Sequence, residues 1–371
     1  MPGRIHFSNS DDCEGAWKNS RGIFANRSGV RPNSGLILSV KVTSDLLRAN
    51  ITMTNHSFIP ISPLTLSSLF PVGVDIYSGQ TGAKDQILFL ASDQIATDDS
   101  LKKIASAPDL KLFICQNDGA KFQKYLRSHF DEWFEDDSIP ILNKTAMLSE
   151  VVRNVLSDEF DRNDSTSIVA TAKMLGSQVA HLATNRSLTG SELCHILHHD
   201  YGTFTHSANV GFYCSLLASQ LGFTGDELRD ITTGGLLHDL GKLEIDERIL
   251  NKPGKLDEFE FRIIKEHPLI GFRRLTKVKE TTPTQMLMSY QHHERLDGKG
   301  YPVGIGGDEL EMVSRICTVA DVFEALTSNR PYRRSLSHRQ ALEIMNEGVN
   351  EAFDKEVFQC WSSIVRRRIS N

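Results

Sequence analysis

Two adjacent histidines, a glutamate and a glycine-punctuated turn constrain this chain more than any other stretch: His292-His293-Glu294-Arg295-Leu296-Asp297-Gly298-Lys299-Gly300-Tyr301-Pro302. Neighbouring side chains on a helix point about 100° apart. Both imidazoles can therefore serve one polar centre only if it lies between their two faces. Packing has little use for that arrangement. A metal centre does, because neutral imidazole ligates zinc, iron, copper and nickel.

Other polar residues stand in similarly unfavourable places. His238-Asp239 ends the run Thr233-Gly234-Gly235-Leu236-Leu237, which reads as a buried helix, with Gly241 expected as its C′ residue. Asp321 sits in the apolar helix Ile316–Phe323, where one unpaired carboxylate is costly. His206 opens the helical pattern Ser207–Leu221, and His267 precedes Pro268. Taken singly, each is an ordinary hydrogen-bonded core or surface residue. Taken together, they would leave several polar groups in apolar helices without partners, and a shared metal centre resolves that.

At this point the sequence resembles the HD-GYP phosphodiesterases, a branch of the HD hydrolases. His238-Asp239 is one signature, and Gly300-Tyr301-Pro302 after His292-His293-Glu294 is the other. The resemblance covers about residues 190–357 and takes in His206-Ser207 with Val210, Lys242, His267-Pro268, Ala325-Leu326-Thr327, Arg330-Pro331-Tyr332-Arg333 and Phe353-Asp354. It implies an all-helical domain that holds two or three iron or manganese ions and hydrolyses cyclic di-GMP.

By the same resemblance, His206, His238, Asp239 and Asp321 surround a first metal. Asp239 bridges to a second, completed by His267, His292 and His293. Two cations that share a carboxylate lower the pKa of a water between them, which gives a nucleophile near neutral pH. Lys242 is expected to contact a phosphate oxygen as a point charge. Arg315 is the next phosphate candidate, followed by Arg333 and Arg330. Gly298 and Tyr301 shape the entrance, and Tyr301 supports catalysis along with Asp239 and Lys242. Glu294 is expected to orient a ligand histidine. Trinuclear relatives carry a glutamate where this chain has Gly202, so two divalent ions, iron or manganese, are expected rather than three; His198 or His199 is a possible substitute ligand.

The rest of the chain sets bounds. Its 371 residues suffice for two domains, and a net charge of −6 argues against a partner that is a nucleic-acid polymer or an anionic membrane. No run of 18 apolar residues marks a membrane span, and the polar N-terminus lacks the apolar core of a signal peptide. A cytoplasmic location is the expectation. The six cysteines (13, 115, 194, 214, 317 and 360) form no Cys-x-x-Cys pair, which argues against a zinc–thiolate site or a disulfide framework.

The fold expected is an α+β N-terminal domain followed by an all-α HD-type helical bundle. Residues 1–34 read as disordered, 35–140 as a small α+β sensor or regulatory domain, 141–189 as a helical connector and 190–371 as the phosphodiesterase domain. Strands are expected at Leu36–Val42, Val72–Tyr77, Gln86–Leu90 and Leu110–Cys115, with helices at Ser100–Ser106 and Ala120–Trp133. The second and third strands should form a hairpin. The function expected is hydrolysis of cyclic di-GMP to pGpG or GMP. One alternative is a 3',3'-cyclic GMP-AMP phosphodiesterase; another is a non-enzymatic adaptor that docks GGDEF-domain proteins. A homodimer is a further expectation.

Overall fold

The structure, a computed structural model, describes residues 57–66, 71–79, 86–97, 99–100, 111–185, 188–197, 203–329 and 333–367. The chain divides into two compact units, with the break between Tyr125 and Leu126.

The first unit is built on a four-stranded antiparallel sheet. Its strands are β1 (Phe58–Ile61), β2 (Ile76–Gly79), β3 (Ile87–Leu90) and β4 (Lys111–Cys115), in the order β1-β4-β2-β3. The expected β2–β3 hairpin is present, but β2 begins at Ile76 rather than Val72. Gly73 has φ +76°, which interrupts an extended backbone just before it. Strand β1 was not among the expected strands; it contains Pro60, which is disfavoured in a central strand. It is an edge strand, where a missing N–H costs least. The central strand β4 buries Leu112, Phe113, Ile114 and Cys115 in succession, as a strand covered on both faces must. Helix α1 (Gly119–Glu135) follows it. The strand expected at Leu36–Val42, residues 1–34 and nearly all of the helix expected at Ser100–Ser106 lie outside the described residues.

The second unit is helical. Helices α2 (Ile141–Arg162) and α3 (Ser165–Ala183) meet at a tight turn. Asn163 takes the left-handed conformation after α2, and the Asp164 carboxylate accepts from Thr166 and Ser167 N–H to cap α3. Then come α4 (Gly190–Ile196), α5 (Thr203–Gln220), α6 (Gly225–Leu237), α7 (Glu247–Leu250), α8 (Glu258–Ile264), α9 (His267–Leu275) and α10 (Pro283–Gln291). The last three are α11 (Met312–Thr327), α12 (His338–Glu347) and α13 (Lys355–Arg366).

Helices α5 and α6 form the centre of this unit, and α3 packs on α6. The contact is close because glycines face each other: a Cβ on Gly235 would lie 2.9 Å from Gly211 Cα. Behind them Tyr213, Phe323 and Trp361 join α5, α11 and α13, with ring centroids 5.1–5.6 Å apart.

Candidate metal centre

All seven predicted ligands come together. His206 is in the first turns of α5, while His238 and Asp239 follow the last turn of α6. His267 begins α9, His292 and His293 follow α10, and Asp321 is within α11. Five helices thus converge on one point, and all but Asp321 reach it from a helix end.

Asp239 is the junction. Its side chain is fully buried, and its two oxygens face opposite groups. Oδ2 lies 3.3 Å from His206 Nε2 and 3.3 Å from His238 Nε2. Oδ1 lies 3.2 Å from His267 Nε2 and 3.7 Å from His292 Nε2. Asp321 joins the first group through Oδ1, 3.1 Å from His206 Nε2, and turns Oδ2 toward His293 Nδ1 at 3.9 Å. Among the described residues, His206, His238 and Asp239 form one metal-competent group, and His267, His292 and His293 form another.

The outer nitrogens fix the ring orientations. His206 Nδ1 donates to Glu324 Oε2 at 2.5 Å, and His238 Nδ1 to the Gly235 carbonyl at 2.8 Å. His267 Nδ1 donates to the Ile264 carbonyl at 2.7 Å, and His292 Nδ1 to that of Ser289 at 3.0 Å. In the neutral rings, each Nε2 is then a bare lone pair aimed inward.

The Nε2 atoms lie 3.2 Å apart in the His206–His238 pair and 3.1 Å apart in the His267–His292 pair. In the second pair burial keeps both rings neutral, and two lone pairs facing each other at that distance repel. Two donors held about 2.1 Å from one cation lie about 3.0–3.4 Å apart for angles between right and tetrahedral. The observed spacing fits a cation in each group. Asp239 Oδ1, buried without a hydrogen-bond donor, fits the same reading. The His/Asp clusters are a divalent-metal site.

The protonation states suit ligation. Burial drives the pKa of His267 down and that of His292 well down; burial and the nearby His267 hold His293 at about 3. All three are neutral at physiological pH. Burial penalises the Asp239 and Asp321 carboxylates, yet Lys242 with His238 and His206 holds Asp239, and His206 with His293 and His238 holds Asp321, well below the ordinary carboxylate range. His206 differs: burial disfavours its charge, but Glu324 and the two aspartates raise its pKa well above the usual value. A proton and a divalent cation compete for its Nε2.

Lys242 reaches this centre, with Nζ 2.5 Å from Asp239 Oδ2. Tyr301 lies at its edge, its ring stacked on His293 with centroids 4.7 Å apart and planes 23° from parallel. Gly298 takes φ +70° in the intervening loop. The two arginines are engaged elsewhere. Arg315 donates to the Leu310 and Gly307 carbonyls and to Asp354 at 2.9 Å. Arg333 donates to the carbonyls of Ala325 and of Leu326 at the end of α11. None of these bonds joins them to the histidine cluster. Arg330, Gly202, His198 and His199 lie outside the described residues.

Three sequence expectations are corrected. Gly241 is not a left-handed helix cap but part of the 3-10 segment Leu240–Glu244. A Cβ there would lie 2.0 Å from the His267 carbonyl oxygen, so glycine is needed for close approach to α9. Glu294 does not orient a histidine. It is fully buried and accepts from Val303 N–H at 2.7 Å and Gly304 N–H at 3.1 Å, which holds the Gly298–Ile305 loop in place. His292 and His293 are not on a helix but in the turn after α10, which brings their ring centroids to 4.1 Å.

Glu324 was not singled out from sequence. It is 1% exposed, and besides His206 it accepts from Asn209 at 3.1 Å and Ser328 at 2.5 Å. Its signal was present: a second acid three residues after Asp321, on the same face of an apolar helix.

This fold and site define a helical protein with a His/Asp divalent-metal site. Residues 153–357, more than half of the chain, match the HD domain family. The chain belongs to that family, and the motifs by which it resembles the HD-GYP branch lie within the matched residues. A 3'3'-cGAMP-specific phosphodiesterase of Vibrio cholerae is 42% identical over 156 residues, 42% of this chain and 34% of that protein. A cyclic di-GMP phosphodiesterase of Pseudomonas aeruginosa is 37% identical over 166 residues, 45% of this chain and 40% of that one. The chain spans less than half the length of these curated relatives. The solved HDG"Y"P protein of Bdellovibrio bacteriovorus shares the fold, with a TM-score of 0.57 at 17% identity, covering 84% of this chain and all of that one.

Proposed function

We propose that this protein is a metal-dependent phosphodiesterase that hydrolyses cyclic di-GMP to pGpG, GMP or both. One observation carries the reading: the two oxygens of Asp239 face two separate nitrogen groups, as a bridge between two cations requires. Iron or manganese is the proposed pair, since imidazole-rich ligation with two carboxylates suits them better than magnesium. When bound, the pair would supply water activation and Lewis acidity toward a phosphodiester.

The protein residues do the rest. His206, His238, Asp239 and Asp321 would hold one ion; His267, His292 and His293, with Asp239, would hold the other. Lys242, now paired with Asp239, would offer its ammonium to a phosphate oxygen. The Tyr301 ring would cover His293 and restrict water at the entrance. Arg315 and Arg333, proposed from sequence as phosphate contacts, would have to leave their present carbonyl and carboxylate partners to act so.

A second substrate has its own support: the relative named for 3'3'-cGAMP is 42% identical over its matched region. Contacts with GGDEF-domain proteins, a homodimer, a cytoplasmic location and a regulatory role for residues 35–140 belong to the same proposal and rest on resemblance. No helix among the described residues is long and apolar enough to cross a membrane.

The test is incubation of anaerobically purified, metal-analysed protein with cyclic di-GMP and, separately, 3'3'-cGAMP, followed by chromatography. The proposal expects linear products from cyclic di-GMP and none from Asp239→Ala. Turnover of 3'3'-cGAMP alone would reassign the substrate. No turnover of either by fully loaded protein would favour the adaptor.

A further inference from the structure

A lysine that neither ligates metal nor belongs to the sequence motifs is tied to the second histidine group. Lys265 caps the end of α8, two residues before His267. Its half-buried ammonium lies 4.6 Å from the Phe261 ring centroid and 5.4 Å from that of Tyr301. The Tyr301 ring is stacked on His293, whose ring meets His267 edge-on at 5.0 Å. A closed circuit results: Lys265 to Tyr301, Tyr301 to His293, His293 to His267, and His267 back along the chain to Lys265. The ligand histidines in the circuit, His293 and His267, both belong to the second group. His206 and His238 are oriented instead by Glu324 and the Gly235 carbonyl.

The circuit has a physical purpose. His238, His267 and His292 have outer nitrogens committed to backbone carbonyls, and that of His206 to Glu324. His293 is different. Its Nδ1 faces Asp321 Oδ2 at 3.9 Å, outside hydrogen-bond reach. Its ring is fixed mainly by stacking, so whatever fixes Tyr301 fixes His293. The backbone supplies one restraint, because Tyr301 N–H donates to the His293 carbonyl at 3.2 Å. Lys265 supplies another, through the face of the ring.

We propose that Lys265 is a positioning residue for the second metal group: with Phe261 and Tyr301 it forms a cation–aromatic clamp that holds the His293 imidazole in its ligating orientation. The inference rests on the two-ion reading of the site but not on any substrate.

The clamp makes a prediction opposite in sign to simple electrostatics. Removing a positive charge near a cation site should strengthen cation binding by relieving repulsion. Removing a clamp should weaken it, and only in one of the two groups. Cation–aromatic contacts of this kind support a weakening of about 2- to 30-fold in the affected step.

The experiment titrates metal-free, full-length protein with Co2+ alone, following the visible absorption of the bound ion, for wild type, Lys265→Met and Lys265→Arg. Methionine keeps the apolar stem and removes the charge, while arginine restores a cation over the rings. The proposal expects two resolved steps in wild type. In Lys265→Met one step weakens by the stated factor with an altered spectrum, and Lys265→Arg restores most of the loss. Affinities unchanged or tighter in Lys265→Met would overturn the clamp, as would equal weakening of both steps. A wild type that takes up only one ion would overturn the two-ion reading and the clamp together.

Discussion

Glu324→Gln tests how the first group is held. Glutamine matches glutamate in shape, so the buried pocket around it should persist, and its oxygen can still accept from His206 Nδ1. What is lost is the charge. A hydrogen bond to an ionised acceptor contributes about 1.5–3 kcal/mol, against about 0.5–1.5 kcal/mol for a neutral one. The difference of about 1–1.5 kcal/mol corresponds to roughly tenfold in a binding constant. Asn209 and Ser328, which also donate to Glu324, must turn to accept from the new amide, which adds to the cost. The expected result is a metal affinity lowered roughly tenfold or more in the first group, within the range seen when partners of ligating histidines are replaced. The second group, whose rings do not touch Glu324, should be unchanged.

The pH dependence gives an independent reading of the same variant. Glu324 raises the His206 pKa, so in the metal-free protein a proton occupies the position the cation needs. Metal uptake must release that proton, and apparent affinity rises with pH until His206 is neutral on its own. In Glu324→Gln the pKa falls and the rise should shift to lower pH. Competition with a chelator between pH 6 and 9 measures both effects. An unchanged affinity and pH profile in the variant would refute the assignment of Glu324 to His206.

Other expectations follow from single contacts. Glu294→Ala removes the acceptor of the part-buried Val303 and Gly304 N–H bonds, at about 1 kcal/mol each. Urea unfolding should show that loss, and amide exchange should rise across 298–305. Gly241→Ala drives a methyl into the His267 carbonyl; at about 2 kcal/mol or more, melting should fall, and the second group should lose metal first. Chelation of the purified protein should lower its melting temperature by about 5–10 °C for each ion removed, taking about 2.7 kcal/mol per site at a hundredfold excess over Kd. An unchanged melt after verified metal removal would argue against ligation.

Much of the site was legible because ligands are unusual where they stand. A histidine pair before a glycine turn, and acids inside apolar helices, stand out against their surroundings without any knowledge of the fold. Partners held by the fold were less visible. Glu324 looks like any helical glutamate until α5 is laid against α11. The role of Glu294 depends on a loop returning nine residues later, which no local pattern encodes. Arg315 shows the converse: its position near the motif pointed to phosphate, while its guanidinium is engaged by Asp354 and two carbonyls. In the first unit, the alternation of β2 and β3 was readable. The edge strand β1 was hidden because Pro60 opposes strand formation everywhere except at such an edge. The helical periodicity of α2 and α3 was plain, but not that α3 would lie against α6, which ends at His238.

The central claim is that Asp239 bridges two cations, and manganese-loaded protein tests it most directly. Electron paramagnetic resonance distinguishes a coupled pair of Mn2+ ions from isolated ones, and metal analysis counts them. The account predicts two ions per chain with a coupled signal in the wild type, and loss of the coupled signal in Asp239→Asn. A single ion per wild-type chain, or a coupled pair that survives in Asp239→Asn, would contradict it.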